Sequence, residues 1–398
     1  MAGAVSRLSR WVLTAYEKPT FLTGFYASQG LRAAVAILRE EWFLLVSLGT
    51  CLCFFLVGDA ILAHLQEPVG LAVIFTWLFV TMLGSSLAAV RHADQLAVRL
   101  GEPYGTLLLT LSVTFIEVVS ISAVMTHGEN NPTLARDTLF AVVMIVLNGM
   151  VGLCLLMGGW RHREQHYNLQ GAKTYLSVII SLVVLSLVLP AFTQTTPTPT
   201  LSGAQQVFLV LVAVGLYVAF LAIQMGRHRE YFVADDIEAA PAGLAEETRP
   251  FLREVILLLA YLGPVVFLAE QLAHPVDYLV ETLEIPTAFG GVIMALLVAT
   301  PEGIGALRAA MSNQLQRSVN IFLGSVLSTI GLTIPGIIVI SQFTGRSLIL
   351  GVQHADLVMQ LLTLAVSMVT FSSERTNVIQ FAVHLVFFGA YILLIVQN

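Results

Sequence analysis

Residues Ile285–Met311 read IPTAFGGVIMALLVATPEGIGALRAAM; after a short basic link, Ser318–Gln342 read SVNIFLGSVLSTIGLTIPGIIVISQ. Each piece is long and apolar enough to cross a bilayer as a helix. Near the middle of the first stands a carboxylate, Glu302. A charged group at that depth costs about 3 kcal/mol on insertion scales, and it usually faces water, an ion path or a partner. Pro301 precedes it, and Gly303 and Gly305 follow. Proline lacks an N–H, so within a helix the carbonyl of Leu297 loses its partner. A freed carbonyl beside a carboxylate, with Thr300 alongside, is a set of oxygens suited to a hard cation.

An earlier stretch matches this one. Tyr104–Met125 reads YGTLLLTLSVTFIEVVSISAVM. Placing Glu117 on Glu302, 185 residues apart, also places Gly105 on Gly290 and Tyr104 on Phe289. Each span is followed by a basic link and a second apolar span with polar residues inside. These are Asn148 in one case and Ser325, Ser328 and Thr329 in the other. Carboxylates at equivalent positions in two halves are the pattern of a transporter built from repeats, with its site where they meet.

The chain has 398 residues, 57% hydrophobic and 11% charged. A soluble protein carries roughly 25% charged residues, so this composition describes an all-α polytopic membrane protein embedded in a lipid bilayer. The net charge is −6, and no basic arm suggests nucleic acid. Cys51, Cys53 and Cys154 all lie in apolar runs and read as packing residues.

Eleven spans are expected, near 42–64, 69–90, 104–126, 138–159, 174–193, 205–225, 251–272, 286–307, 318–342, 347–370 and 377–396. With the N-terminus inside, only Arg136 and Arg346 of the 19 Lys and Arg residues fall outside. That asymmetry supports both the count and a cytoplasmic N-terminus in an inner or plasma membrane. The expected organisation is an N-terminal arm over 1–41, one extra helix over 42–64, and a five-helix repeat over 65–225. An acidic cytoplasmic linker over 226–250 and a second five-helix repeat over 251–398 complete it. An odd number of spans per repeat inverts one half relative to the other. The linker contains Asp235, Asp236, Glu238, Glu246 and Glu247 and reads as a solvated connector or a cation-sensing segment.

In the third span Thr106, Thr110, Thr114 and Glu117 lie on one helical face. In the fourth, Ala141, Asn148, Gly149 and Gly152 form a small-residue face suited either to close packing or to an amide ligand. Two neighbouring carboxylates in a low dielectric repel, so without a cation at least one takes up a proton. A bound cation expels it, and that competition is the physical basis of antiport. Glu270, toward the outer end of the seventh span, is a candidate for an outer entrance. No H-E-x-x-H, G-x-S-x-G or P-loop motif is present, so no enzyme signature is seen. A channel would instead draw a continuous pore from several subunits.

Several stretches together resemble a known family. They are VTFIEVVSI at Val113–Ile121, MGGWRHREQHYN at Met157–Asn168, AEQLAH at Ala269–His274 and the long run from Ala299 to Gly331. The chain resembles the cation/proton exchangers of the calcium:cation antiporter superfamily, in particular the bacterial ChaA-type calcium (sodium, potassium):proton antiporters. The resemblance covers roughly residues 42–396. It implies an extra first helix and inverted five-helix repeats around a cation site, with Glu117 and Glu302 as the cation- and proton-binding glutamates. It points to Ser325, Ser328 and Asn148 as helpers. Many members carry G-N-x-x-E in both repeats; here Thr114 and Ala299 replace the asparagines. The expected activity is export of Ca²⁺ in exchange for external protons, with Na⁺ or K⁺ as the alternative cargo. The expected partners are small inorganic cations and protons, and no cofactor is implied.

Overall fold

A computed structural model of the chain describes residues 40–101, 104–127, 132–193, 200–232, 250–352, 354–376 and 378–397. Nearly all of the N-terminal arm, and the acidic part of the linker from 233 to 249, lie outside the described residues.

The described residues form eleven long helices. They are α1 Trp42–Leu62, α2 Pro68–Leu100, α3 Tyr104–Thr126, α4 Leu134–His162, α5 Leu169–Ala191, α6 Gly203–Arg227, α7 Phe251–Thr282, α8 Thr287–Met311, α9 Leu315–Thr344, α10 His354–Thr370 and α11 Val378–Gln397. Ten are long and apolar enough to cross a membrane, and α10 is a shorter apolar helix of 17 residues. Large side chains such as Trp42, Phe55, Phe208 and Val386 remain exposed on the outside, as expected where lipid replaces water. The protein is a polytopic helical membrane protein.

Three helix limits depart from the sequence expectation. α2 runs ten residues past Val90, through Arg91, His92, Asp94 and Arg99. Charge lowers the hydropathy there, but nothing breaks the helix until Gly101, which takes φ 65°. α7 likewise continues through His274 and Asp277. The tenth span starts at His354, not 347, because the preceding segment is extended and bonded to other loops. Ile349 N–H donates to the Pro132 carbonyl at 2.9 Å and Val352 N–H to that of Leu187 at 2.8 Å.

The buried apolar side chains fall into two bodies. One gathers α1, α2 and α7, with residues such as Phe54, Leu78, Met82, Leu268 and Leu272. The other gathers α4, α5, α6, α9, α10 and α11. Helices α3 and α8 contribute to both: Ile116 and Leu297 to the first, Ile121 and Ala299 to the second. The helices bearing the two central glutamates are therefore those on which both bodies rest.

Polar ties fix the arginine-bearing end of the bundle. Arg91 pairs with buried Glu41 at 2.6 Å, His92 Nδ1 lies 2.6 Å from Glu254, and the Tyr261 hydroxyl donates to Glu41 at 3.0 Å. These contacts join α1, α2 and α7. The Met157–Asn168 stretch ties the two halves together. Gln165 Nε2 donates to the Ala310 carbonyl at 2.9 Å, Gln316 Oε1 accepts from the Asn168 N–H at 2.6 Å, and the Tyr167 hydroxyl donates to the Ser373 carbonyl at 2.5 Å. Burial, then the charge of Glu374, pushes the Tyr167 phenol above its ordinary pKa, so it remains a donor.

Candidate cation and proton site

Glu117 and Glu302 project from α3 and α8 toward α9. Glu117 is 1% exposed. Its Oε2 accepts from the Thr333 hydroxyl at 2.6 Å, and its buried Oε1 has no hydrogen-bond partner. Glu302 is half-buried and accepts from the Ser325 hydroxyl. The two carboxylates are near enough to act on each other electrostatically.

Backbone irregularity at this depth comes from α9 and α4. Each contains a π-helical turn, Thr329–Thr333 in α9 and Ile145–Met150 in α4. The Glu117-to-Glu302 offset of 185 residues carries Asn148 onto Thr333, so the two wide turns occupy matching places. Such turns are frequent at functional sites because they rotate side chains off the regular helical face. Here the turn in α9 brings Thr333 to Glu117.

A cavity of about 800 Å³ reaches Glu302. Its inner wall includes Thr110, Val113, Tyr217, Pro301, Glu302, Ser325 and Ser328, and its mouth includes Arg91, Asp94, Arg229, Arg308 and Arg317. All the mouth residues lie at the arginine-bearing end. Glu117 is not part of the lining. The opposite end is closed between α4 and α8. A Cβ on Gly291 would lie 2.6 Å from the Asp137 carbonyl carbon, and the Thr287 hydroxyl donates to Asp137 at 2.7 Å. The cavity is thus open to one side and ends at Glu302.

The sequence-derived helpers divide into two groups. Ser325 is bonded to Glu302 and Ser328 lines the cavity, although the Ser328 hydroxyl donates to the Ser325 carbonyl at 2.9 Å. Thr114 is buried beside Glu117 on α3, its hydroxyl without a partner. Pro301 stands inside α8, so the Leu297 carbonyl receives no bond from it. Thr300 gives its hydroxyl to the Leu296 carbonyl of its own helix, away from the glutamates. Asn148 donates to Thr363 of α10 at 2.9 Å. The small face around Asn148 packs against α11, with Gly149 on Phe388 and Gly152 on Leu385. Glu270 is exposed on α7 and lies outside the cavity lining. Thr333 escaped the sequence reading. The 185-residue offset from Asn148 is the signal that would have found it.

Among the described residues no three His, Cys, Asp or Glu side chains converge to hold a metal. The acidic donors at the bundle centre are two carboxylates, with hydroxyls and one freed carbonyl around them. Membrane-buried acids on matching helices, one of them at the blind end of a one-sided cavity, characterise a transporter of small ions. The chain belongs to the sodium/calcium exchanger protein family, whose sequence profile matches residues 70–226 and 254–397. It is a membrane transporter, not an enzyme. The ionic transporter y4hA of Sinorhizobium fredii is 46% identical over 314 residues, covering 79% of this chain and 86% of the relative. The sodium-potassium/proton antiporter ChaA of Escherichia coli is 39% identical over 318 residues, with the same shares. The solved structure of native YfkE superposes with a TM-score of 0.69 at 20% identity, covering 89% of this chain and all of that one, which shows a shared fold.

Proposed function

We propose that the chain exports Ca²⁺ from the cytoplasm in exchange for external protons, using Glu117 and Glu302 as one shared site. The observation carrying this reading is Glu302 at the blind end of the cavity, held by Ser325, with Glu117 behind it held by Thr333. Two carboxylates are neutralised either by one divalent ion or by two protons. The loaded forms of the site are then the electrically satisfied ones in low dielectric. Neither loaded form leaves an uncompensated buried charge, so each can be carried from one face to the other.

The match of one family profile to two separate blocks supports two repeats, as do the paired π-turns. In this reading α1 is the extra helix, α2–α6 the first repeat and α7–α11 the inverted second. The arginine-rich mouth is cytoplasmic by the charge asymmetry, so the described conformation faces inward. Alternating access would close that mouth and part α4 from α8 at the Gly291–Asp137 contact.

Carboxylates, hydroxyls and a carbonyl give Ca²⁺ the several oxygens it prefers, whereas Mg²⁺ demands a compact octahedral cage. The 39% identity to a sodium-potassium/proton antiporter favours Na⁺ and K⁺ as a second reading. Cation-driven proton movement in everted vesicles, measured ion by ion, separates the two. Ca²⁺ is expected to drive proton release and Mg²⁺ to drive little. Equal responses to Ca²⁺ and Mg²⁺ would refute the proposal, and a response to Na⁺ or K⁺ alone would establish the second reading.

A further inference from the structure

At the end of the bundle opposite the cavity, the last turn of α3 meets α7 through two histidines. His127 Nε2 lies 3.0 Å from His274 Nδ1, with the ring centroids 4.0 Å apart. Two neutral imidazoles at that distance share one proton, one nitrogen donating and the other accepting. Beside them Asp277 is 8% exposed, and its Oδ2 has no hydrogen-bond partner and lies 3.9 Å from His127 Nε2. A buried acceptor left open next to a shared proton marks a place where one more proton can be received.

We propose that His127, His274 and Asp277 form a proton-binding site on the external face, whose loading releases α3 from α7. It rests on the inward-facing antiport reading above. A second proton fills the accepting nitrogen, so two N–H groups then face each other and the histidine–histidine bond is lost. His127 then turns its N–H to Asp277 Oδ2. One N–H bond forms on the accepting nitrogen and one O–H bond of an external hydronium breaks, leaving water; the remaining changes are in hydrogen bonds.

The surroundings suit that arrival. Glu270 and Glu281 on α7 and Asp59 at the end of α1 act on this cluster. A neighbouring cation is Arg346, from the segment before α10, which donates to the Thr126 carbonyl at 2.8 Å. The two ring nitrogens face each other at 3.0 Å, too close for a metal ion to sit between them, which suits a shared proton rather than a metal. Its position gives it leverage. α3 carries Glu117 ten residues back, about 15 Å along the helix, and its outer end packs on α7 through Val124 in the first apolar body. Loosening this contact lets the outer end of α3, and Glu117 with it, shift against α7 when external protons are plentiful.

The test uses the full chain in vesicles of known orientation, with Ca²⁺-driven proton flux as the readout. The pH of each face is set separately, and the Ca²⁺ gradient is adjusted to keep the total driving force constant. The wild type should show flux rising as the His127 face is acidified. His127→Gln and His274→Gln should flatten that profile, leaving the Ca²⁺ concentration for half-maximal flux within about twofold of wild type. His127 is partly exposed, so its variant carries the test if the His274 variant fails to fold. A wild-type profile in His127→Gln overturns the inference, as does inhibition by added Zn²⁺ that disappears in that variant. Glu302→Gln is measured alongside. Normal exchange there would refute the carboxylate site, whereas lost exchange there with an unaltered His127→Gln profile refutes the present inference alone.

Discussion

The two central glutamates occupy matching places 185 residues apart, yet their surroundings differ. Glu302 looks into the cavity and is held by Ser325. Glu117 is sealed from it, held by Thr333, with one oxygen unpartnered. Both bonds come from α9. The matching helix of the first half, α4, makes neither; its Asn148 turns to α10 and its glycines are occupied by α11. A pair that is symmetric in sequence is thus asymmetric in this conformation, with one member lining the cavity and the other sealed from it. The difference teaches that matching sequence positions set the depth of a carboxylate, whereas the packing of α9 and its neighbours sets whether it lines the cavity.

The largest expected effect tests whether that asymmetry reaches function. Glu117→Gln and Glu302→Gln keep size and hydrogen-bonding capacity and remove the charge. If one cation needs both carboxylates, each variant should lower flux to that of empty vesicles, even though only Glu302 faces the cavity. Folding should suffer little, because a buried charge has been removed. Flux at half the wild-type rate or more in Glu117→Gln, normalised to folded protein, would make Glu117 a spectator and break the pairing.

The next effect is smaller and concerns the α9 hydroxyls. A hydrogen bond to a charged group contributes about 1.5–3 kcal/mol. Ser325→Ala and Thr333→Val should therefore each raise the Ca²⁺ concentration for half-maximal flux by about tenfold or more, while the maximal rate changes less. An unchanged half-maximal concentration in Thr333→Val would mean that its bond to Glu117 plays no part once the cation is bound.

Much of this architecture could be read before the structure. The two mid-span glutamates and the basic links announce themselves by cost and spacing, because an acid in an apolar run has few explanations, whereas Ser325 stands out only through the family resemblance. The ends of α2 and α7 could not be read, since hydropathy falls at Arg91 and His274 whereas the backbone keeps its helix. Nor could the clusters that join distant residues, such as His92 with Glu254 or His127 with His274. Each lies in a run whose own pattern says only "helix end", and packing alone brings the partners together. Asn148 stays open between packing and an amide ligand for a related reason. A polar residue inside an apolar helix signals an interior partner but not which helix supplies it, and Thr363 was as plausible chemically as a carboxylate.

Asn148 therefore provides the smallest expected effect and the sharpest probe of the comparison. It stands where Thr333 stands in the other half, in a matching π-turn, and its Oδ1 is buried without a partner. As described, it serves packing: its Nδ2 donates to Thr363 at 2.9 Å. Replacing it by alanine removes that bond and costs about 1 kcal/mol of stability. If the asymmetry persists through the transport cycle, Asn148→Ala should shift the half-maximal Ca²⁺ concentration by less than about twofold, against about tenfold for Thr333→Val. The two variants are compared in the same vesicles, with thermal stability measured in parallel to separate folding from transport. Equal shifts would show that the roles of α4 and α9 exchange when the site turns outward. Asn148 would then leave Thr363 and use its free oxygen on the cation, and the inequality seen here would belong to one conformation rather than to the mechanism.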